Sequence, residues 1–206
     1  MKTHFAPPVL LAAACLAVAM ALPASAQILY NGGPINGQTD GWAINFGFAV
    51  SDSFIISGGD SRVTGMSFGA WLSPGDVLES VEVSFTSMEF GGQTYFDQEV
   101  NFAASNCFLN NYGYDVCQET GMFNVSLANG TYWMNLQNAV VNNGDPVYWD
   151  ENSGPSSASV NFLGTLPAES FSILGTSGST VPEPGSLLLF ASGVVGIAGM
   201  LRRKIF

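Results

Sequence analysis

The densest concentration of groups able to do chemistry lies between Asn142 and Gly154, where Asp145, Tyr148, Trp149, Asp150 and Glu151 stand among amides and small residues. Carboxylate and amide oxygens of this kind suit Ca²⁺. An aromatic ring beside Asn and Asp suits stacking on a sugar, with hydrogen bonds to its hydroxyls. The residue order fits neither an EF-hand loop nor a calcium-binding nonapeptide repeat. The stretch is therefore read as a candidate glycan or cation site, with the metal unassigned and no cofactor expected. The competing reading is a solvated loop whose Asn, Asp and Gly make turns while Trp149 packs into the edge of the fold.

What the chain lacks narrows the chemistry further. His4 is the only histidine, and no lysine lies between Gln27 and Thr180. In that stretch a Ser-His-Asp or Cys-His arrangement, a histidine zinc site and a phosphate-loop lysine have no residues to form them. Carboxylate work on a glycoside is the one common mechanism left. Asp97 and Glu99 lie two apart on an expected strand and so share a face, and Asp150 and Glu151 are adjacent. Neither spacing supplies a partner at the separation a glycosidase needs, because the fold sets that distance. No catalytic residues are assigned.

The two ends of the chain say where it goes. Lys2, the apolar run Val9 to Leu22 and the small-x-small site Ala24-Ser25-Ala26 read as a secretory signal peptide over residues 1–26. At the other end come Val181, Pro182, Glu183 and Pro184, an apolar run from Leu187 to Leu201, then Arg202, Arg203 and Lys204. As a helix, Gly185 to Leu201 would be about 26 Å long, just enough to cross a hydrocarbon core once. Gly193, Gly196 and Gly199 weaken that helix. The basic cluster keeps the extreme C-terminus cytoplasmic and places the preceding domain across the inner membrane.

This order of Pro-Glu-Pro, short apolar helix and basic cluster over residues 182–206 resembles the PEP-CTERM sorting signal of Gram-negative bacteria. The resemblance implies recognition by exosortase, an integral-membrane cysteine protease-transpeptidase thought to cut near the Pro-Glu-Pro. Val181 to Pro184 would then be the sorting motif, and Arg202, Arg203 and Lys204 the cytoplasmic stop. It also implies an inner-membrane intermediate, followed by the cell surface or extracellular matrix. Cargo of this family is generally linked to exopolysaccharide and biofilm, so extracellular polysaccharide is an expected partner.

Charge limits the partners of the exported domain. Between Gln27 and Thr180, Arg62 is the only basic residue against 15 Asp and Glu, a net charge of −14. Nucleic acid, whose binding depends on neutralised phosphates, is excluded. Anionic membranes and acidic polysaccharides are repelled, whereas neutral polymers or a cation-rich medium suit the domain.

The elements that must position any site have a hydrophobic period of two. Large apolar residues in Trp42 to Val50 fall on one face, and Val81, Val83 and Phe85 alternate with Glu82, Ser84 and Thr86. Further strands are expected at Ser53 to Ser57, Val63 to Leu72, Thr94 to Phe102, Met122 to Leu127, Thr131 to Gln137, Ser159 to Leu163 and Ser170 to Leu174. Ser73-Pro74-Gly75-Asp76 reads as a turn, and Asn129-Gly130 as the clearest β-hairpin. Cys107 and Cys117 are expected to form a disulfide, closing a loop that contains Tyr112 and Tyr114. Trp42, Trp71 and Trp133 are expected in the core. The pattern predicts an all-β domain over residues 27–174, an antiparallel β-sandwich with a jelly roll as one possible form, followed by a flexible linker over residues 175–181.

The reading as a whole is a secreted, non-enzymatic β-sandwich. Its alternative is a carbohydrate-binding module using Tyr148, Trp149 and Asp150. A carboxylate-dependent glycoside hydrolase is the third choice.

Overall fold

The computed structural model describes residues 27–178. The expected signal peptide and the sorting segment fall outside the described residues. Among those described, no helix is long and apolar enough to cross a membrane.

All regular elements are strands: β1 (Gln27–Asn31), β2 (Gly41–Ala43), β3 (Ala49–Ile56), β4 (Ser61–Leu72), β5 (Leu78–Met88), β6 (Gly91–Leu109), β7 (Asp115–Leu127), β8 (Gly130–Val141), β9 (Tyr148–Asn152), β10 (Ala158–Val160), β11 (Gly164–Leu166), β12 (Ala168–Glu169) and β13 (Phe171–Thr176). The antiparallel all-β expectation stands, but the strands do not divide into two separate sheets. They form one 13-stranded sheet in the order β1-β13-β4-β7-β6-β5-β8-β3-β10-β11, with β9 pairing β4, β2 and β12 to one side. The sheet curls so that its two limbs share a core.

The long strand β6 makes the curl. Its first half, Gly91 to Asn101, pairs with β5, and its second half, Phe102 to Leu109, pairs with β7. Where β6 leaves one partner for the other, Phe96 and Phe123 stack with ring centroids 4.5 Å apart and close the gap. Phe54 of β3 lies at the centre of the core, 5.1 Å from the ring of Phe85 on its own limb and 6.5 Å from Phe171 on the other. Val63, Met66, Phe68 and Ile173 from one limb and Val83, Met134 and Leu136 from the other are fully buried around it. Each such side chain contributes about 1.5 to 3 kcal/mol by leaving water, so this shared apolar layer holds the curl closed.

Several local expectations change. The alternation in Trp42 to Val50 is split by a turn, with Phe46 at φ 57° and Gly47 at φ 88°, and this turns Phe46 and Phe48 out to solvent. Asn129-Gly130 does not close a hairpin: β7 lies between β4 and β6, while β8 lies between β3 and β5, so the turn carries the chain from one limb to the other. Asn129 caps that crossing by accepting a hydrogen bond from Gly59 N at 2.8 Å. The Ser73–Asp76 turn is present, with Asp76 N donating to Ser73 O at 2.9 Å and Gly75 at φ 89°, and it also crosses between limbs. Gly175 and Thr176, expected as linker, extend β13 by pairing with Val63 and Arg62.

Candidate functional site

The residues of the Asn142–Gly154 stretch separate once they become strand β9, because neighbours on a strand point to opposite faces. Trp149 turns inward. Its indole is fully buried, edge-on to Phe68 and Phe171, and Nε1 donates to Ser170 O at 2.9 Å. A ring with no exposed face cannot stack on a sugar, which corrects the expectation that Trp149 would be the platform.

Asp150 holds a loop in place. Its carboxylate accepts hydrogen bonds from Asn36 N and Gly37 N, both at 2.9 Å, and from Trp71 Nε1 at 2.7 Å. Burial pushes its pKa up, and the bonds from Asn36, Trp71 and Gly37 act against that rise. Glu151 accepts from Trp42 Nε1 at 2.7 Å, and its backbone N–H donates to Asp40 O at 2.9 Å. Asn36 Nδ2 donates to Glu151 O at 3.1 Å. Together these bonds strap the segment from Asn36 to Trp42 over β9 and the end of β4. Asp145 stands apart from this arrangement, half-buried, with its carbonyl accepting from Asn45 Nδ2 at 2.9 Å.

Beside the strapped loop lies a cavity of about 330 Å³ lined by Thr39, Asp40, Gly41, Trp71, Tyr112, Tyr114 and Tyr148. Three elements supply its aromatic walls. Trp71 comes from β4, Tyr148 from β9, and Tyr112 and Tyr114 from the loop between β6 and β7. Trp71 stacks against Tyr112 at 5.6 Å and 20°, and Tyr114 meets Tyr148 edge-on at 5.5 Å. Burial and the adjacent Tyr114 hydroxyl push the Tyr148 phenol up. Tyr112 is 61% exposed and Trp71 only 5%, so Tyr112 forms the outer wall and Trp71 the floor. Gly41 makes room: a Cβ there would come within 3.0 Å of Tyr148 Cβ and 3.2 Å of the Trp71 ring.

The loop carrying the two tyrosines is fixed at its base. Cys107 and Cys117 form a disulfide between β6 and β7, at a bulge where Asn106 takes φ 52°. Inside the loop Asn110 Oδ1 accepts from Tyr112 N at 3.0 Å and Tyr114 N at 2.9 Å. Tyr112 Oη donates to Gln38 O at 3.2 Å and ties this loop to the one held by Asp150. Of the expected site residues only Tyr148 lines the cavity, with Asp150 immediately behind Trp71. Sequence reasoning missed Trp71, Tyr112 and Tyr114 as a group. The one available signal was the pair of tyrosines inside a loop closed by cysteines.

The other carboxylates lie away from this cavity, and Glu82, Asp97 and Glu99 line a separate open cavity of about 470 Å³ on the β5–β6 face. Asp97 and Glu99 lie exposed on β6, and Glu99 Oε1 accepts from Ser80 Oγ at 2.7 Å. Asp52 is buried; burial raises its pKa to about 7 against bonds from Glu169 N, Ser156 and Ser53 N. Glu119, with both oxygens unpartnered, is likewise raised by burial to about 7. Among the described residues, no group of three or more Asp, Glu, His or Cys side chains could hold a metal ion.

Residues 180–204 match the family model of the PEP-CTERM protein-sorting motif. The chain thus carries the tag of proteins exported through exosortase to the cell envelope or surface. The match contains Pro182, Glu183, Pro184 and the basic cluster, and it leaves the curled-sheet domain outside it. No curated protein matches the chain.

Proposed function

We propose that this is a non-enzymatic structural or adhesive protein of the cell surface or extracellular matrix, associated with exopolysaccharide or biofilm. The observation that carries this reading is the sorting motif at residues 180–204, attached to a domain whose residues 27–180 contain no histidine or lysine. The apolar segment before the basic cluster holds the precursor in the inner membrane until exosortase acts. A cysteine pair joined as a disulfide suits the oxidising envelope. The test follows the domain in cells with and without the exosortase. Under this reading it leaves with the exopolysaccharide fraction only when the enzyme is present, and identical distribution in both strains would refute it.

A second reading rests on a specific feature, the aromatic cavity: the domain binds carbohydrate, using Trp71, Tyr112, Tyr114 and Tyr148 in place of Trp149. Aromatic walls beside hydroxyls and a carboxylate are the usual makeup of a sugar site. A glycoside hydrolase gains no such support, because Asp150 and Glu151 are taken up by bonds to the loop and to tryptophan N–H groups.

A further inference from the structure

The cavity is built to favour positive charge. Four aromatic rings line it, and the faces they leave free carry negative potential that attracts ammonium groups. Behind the floor, Asp150 Oδ1 accepts the Trp71 Nε1 proton at 2.7 Å, which places an acidic group against the indole and enriches its ring in electrons. At the rim, Asp40 is exposed and lines the opening. Among the described residues no basic side chain lies beside these charges. Arg62 is the only basic side chain among the described residues. It sits nine positions before Trp71 on β4, about 30 Å away along an extended strand.

The cavity also has the polar groups that a ring with hydroxyls requires: the Thr39 hydroxyl, the Asp40 carboxylate and the phenol oxygens of Tyr112, Tyr114 and Tyr148, of which Tyr112 donates to Gln38 O and keeps its oxygen as an acceptor. A bare quaternary ammonium would leave these unused. We infer that the cavity binds a pyranose unit carrying a protonated amine, an amino sugar within a polysaccharide, with the ring against the aromatic walls and the amine toward Asp40. This rests on the carbohydrate-binding reading and names its ligand class. The Cys107–Cys117 disulfide then serves the site by fixing the loop that carries two of its four rings.

The test titrates the full chain in detergent with tetramers of glucosamine, N-acetylglucosamine, glucose and glucuronate, followed by calorimetry and tryptophan fluorescence. Glucosamine tetramer should bind about tenfold more tightly than its acetylated or glucose counterparts, and glucuronate not at all. Tyr112→Ala should weaken all saccharide binding by about tenfold, and Tyr112→Phe, which keeps the ring and loses only the bond to Gln38 O, should retain most of it. Asp40→Asn should remove the preference for the amine and leave binding of the glucose tetramer unchanged. Equal affinity for glucose and glucosamine tetramers would overturn the amine inference and leave carbohydrate binding standing. Glucosamine binding unaffected by Tyr112→Ala would place the attraction in the diffuse charge of the domain and overturn the site. Failure of every tetramer to bind would overturn both.

Discussion

Asp150 accepts from three donors that would otherwise be buried without partners, two from the loop at Asn36 and Gly37 and one from Trp71. Removing one partner from a buried hydrogen bond costs about 1 to 3 kcal/mol through the group left behind. Asp150→Ala orphans all three, so an expected loss of roughly 4 kcal/mol should appear in urea denaturation, with a red-shifted Trp71 emission. A loss below roughly 1 kcal/mol would mean that the loop is held by other contacts. Asp150→Asn keeps one strong acceptor and should fall between the two. Part of this was legible in the sequence. The carboxylates and aromatics of Tyr148 to Glu151 mark an important stretch, and a period of two already puts Tyr148 and Asp150 on one face with Trp149 on the other. What the sequence could not show is that Asp150 reaches back over a hundred residues to a loop with no motif of its own.

Among the elements, the disulfide loop between β6 and β7 does most to shape the cavity. Its pairing was legible from two cysteines in an exported domain, whereas its neighbours Trp71 and Tyr148 were not. They arrive through the pairing of β4 with β7 and β9, which are contacts remote in sequence. Replacing both cysteines by serine should lower stability by about 3 kcal/mol through the loop-closure entropy regained by the unfolded chain, read as a shifted denaturation midpoint. It should also free Tyr112 and Tyr114 and weaken any ligand of the cavity, so unchanged affinity would separate the loop from the site. The strands themselves were largely visible: β5 contains the expected alternation, and β4, β8 and β13 fall where strands were expected. Their partners were not. Asn129-Gly130 has the residues of a two-residue hairpin but joins opposite limbs, and β8 instead inserts between β3 and β5, where Tyr132 packs on Phe54 and Phe54 on Phe85. The reverse case is Glu89-Phe90: it closes the true β5–β6 hairpin, with Phe90 at φ 53°, and carries no glycine at the position that takes that strain.

For the whole molecule, charge governs how stability responds to pH. Asp52 and Glu119 have folded pKa values near 7, against 3.8 and 4.5 ordinarily, and burial pushes Glu169 up as well. Between those values the folded protein holds protons that the unfolded chain has released. The associated stability is therefore fully present below the ordinary carboxylate range and is lost as pH rises through about 7. Ionisation costs up to about 4 kcal/mol for Asp52 and about 3 kcal/mol for Glu119. The net charge of −14 over residues 27–180 adds repulsion in the same direction. The melting temperature should thus rise on mild acidification, and Glu119→Gln should flatten that slope; a maximum above neutral pH would contradict the assignment. Strand β13 ends at Thr176, which leaves only a few residues before Val181 and the sorting motif, so the folded domain and the processing point are close in sequence. The most direct test of the exported-cargo account is the intact mass of the chain recovered outside cells that contain exosortase. The account predicts a form beginning at Gln27 and lacking the residues beyond the Pro182-Glu183-Pro184 region. A chain recovered with Arg202, Arg203 and Lys204 still attached would contradict it.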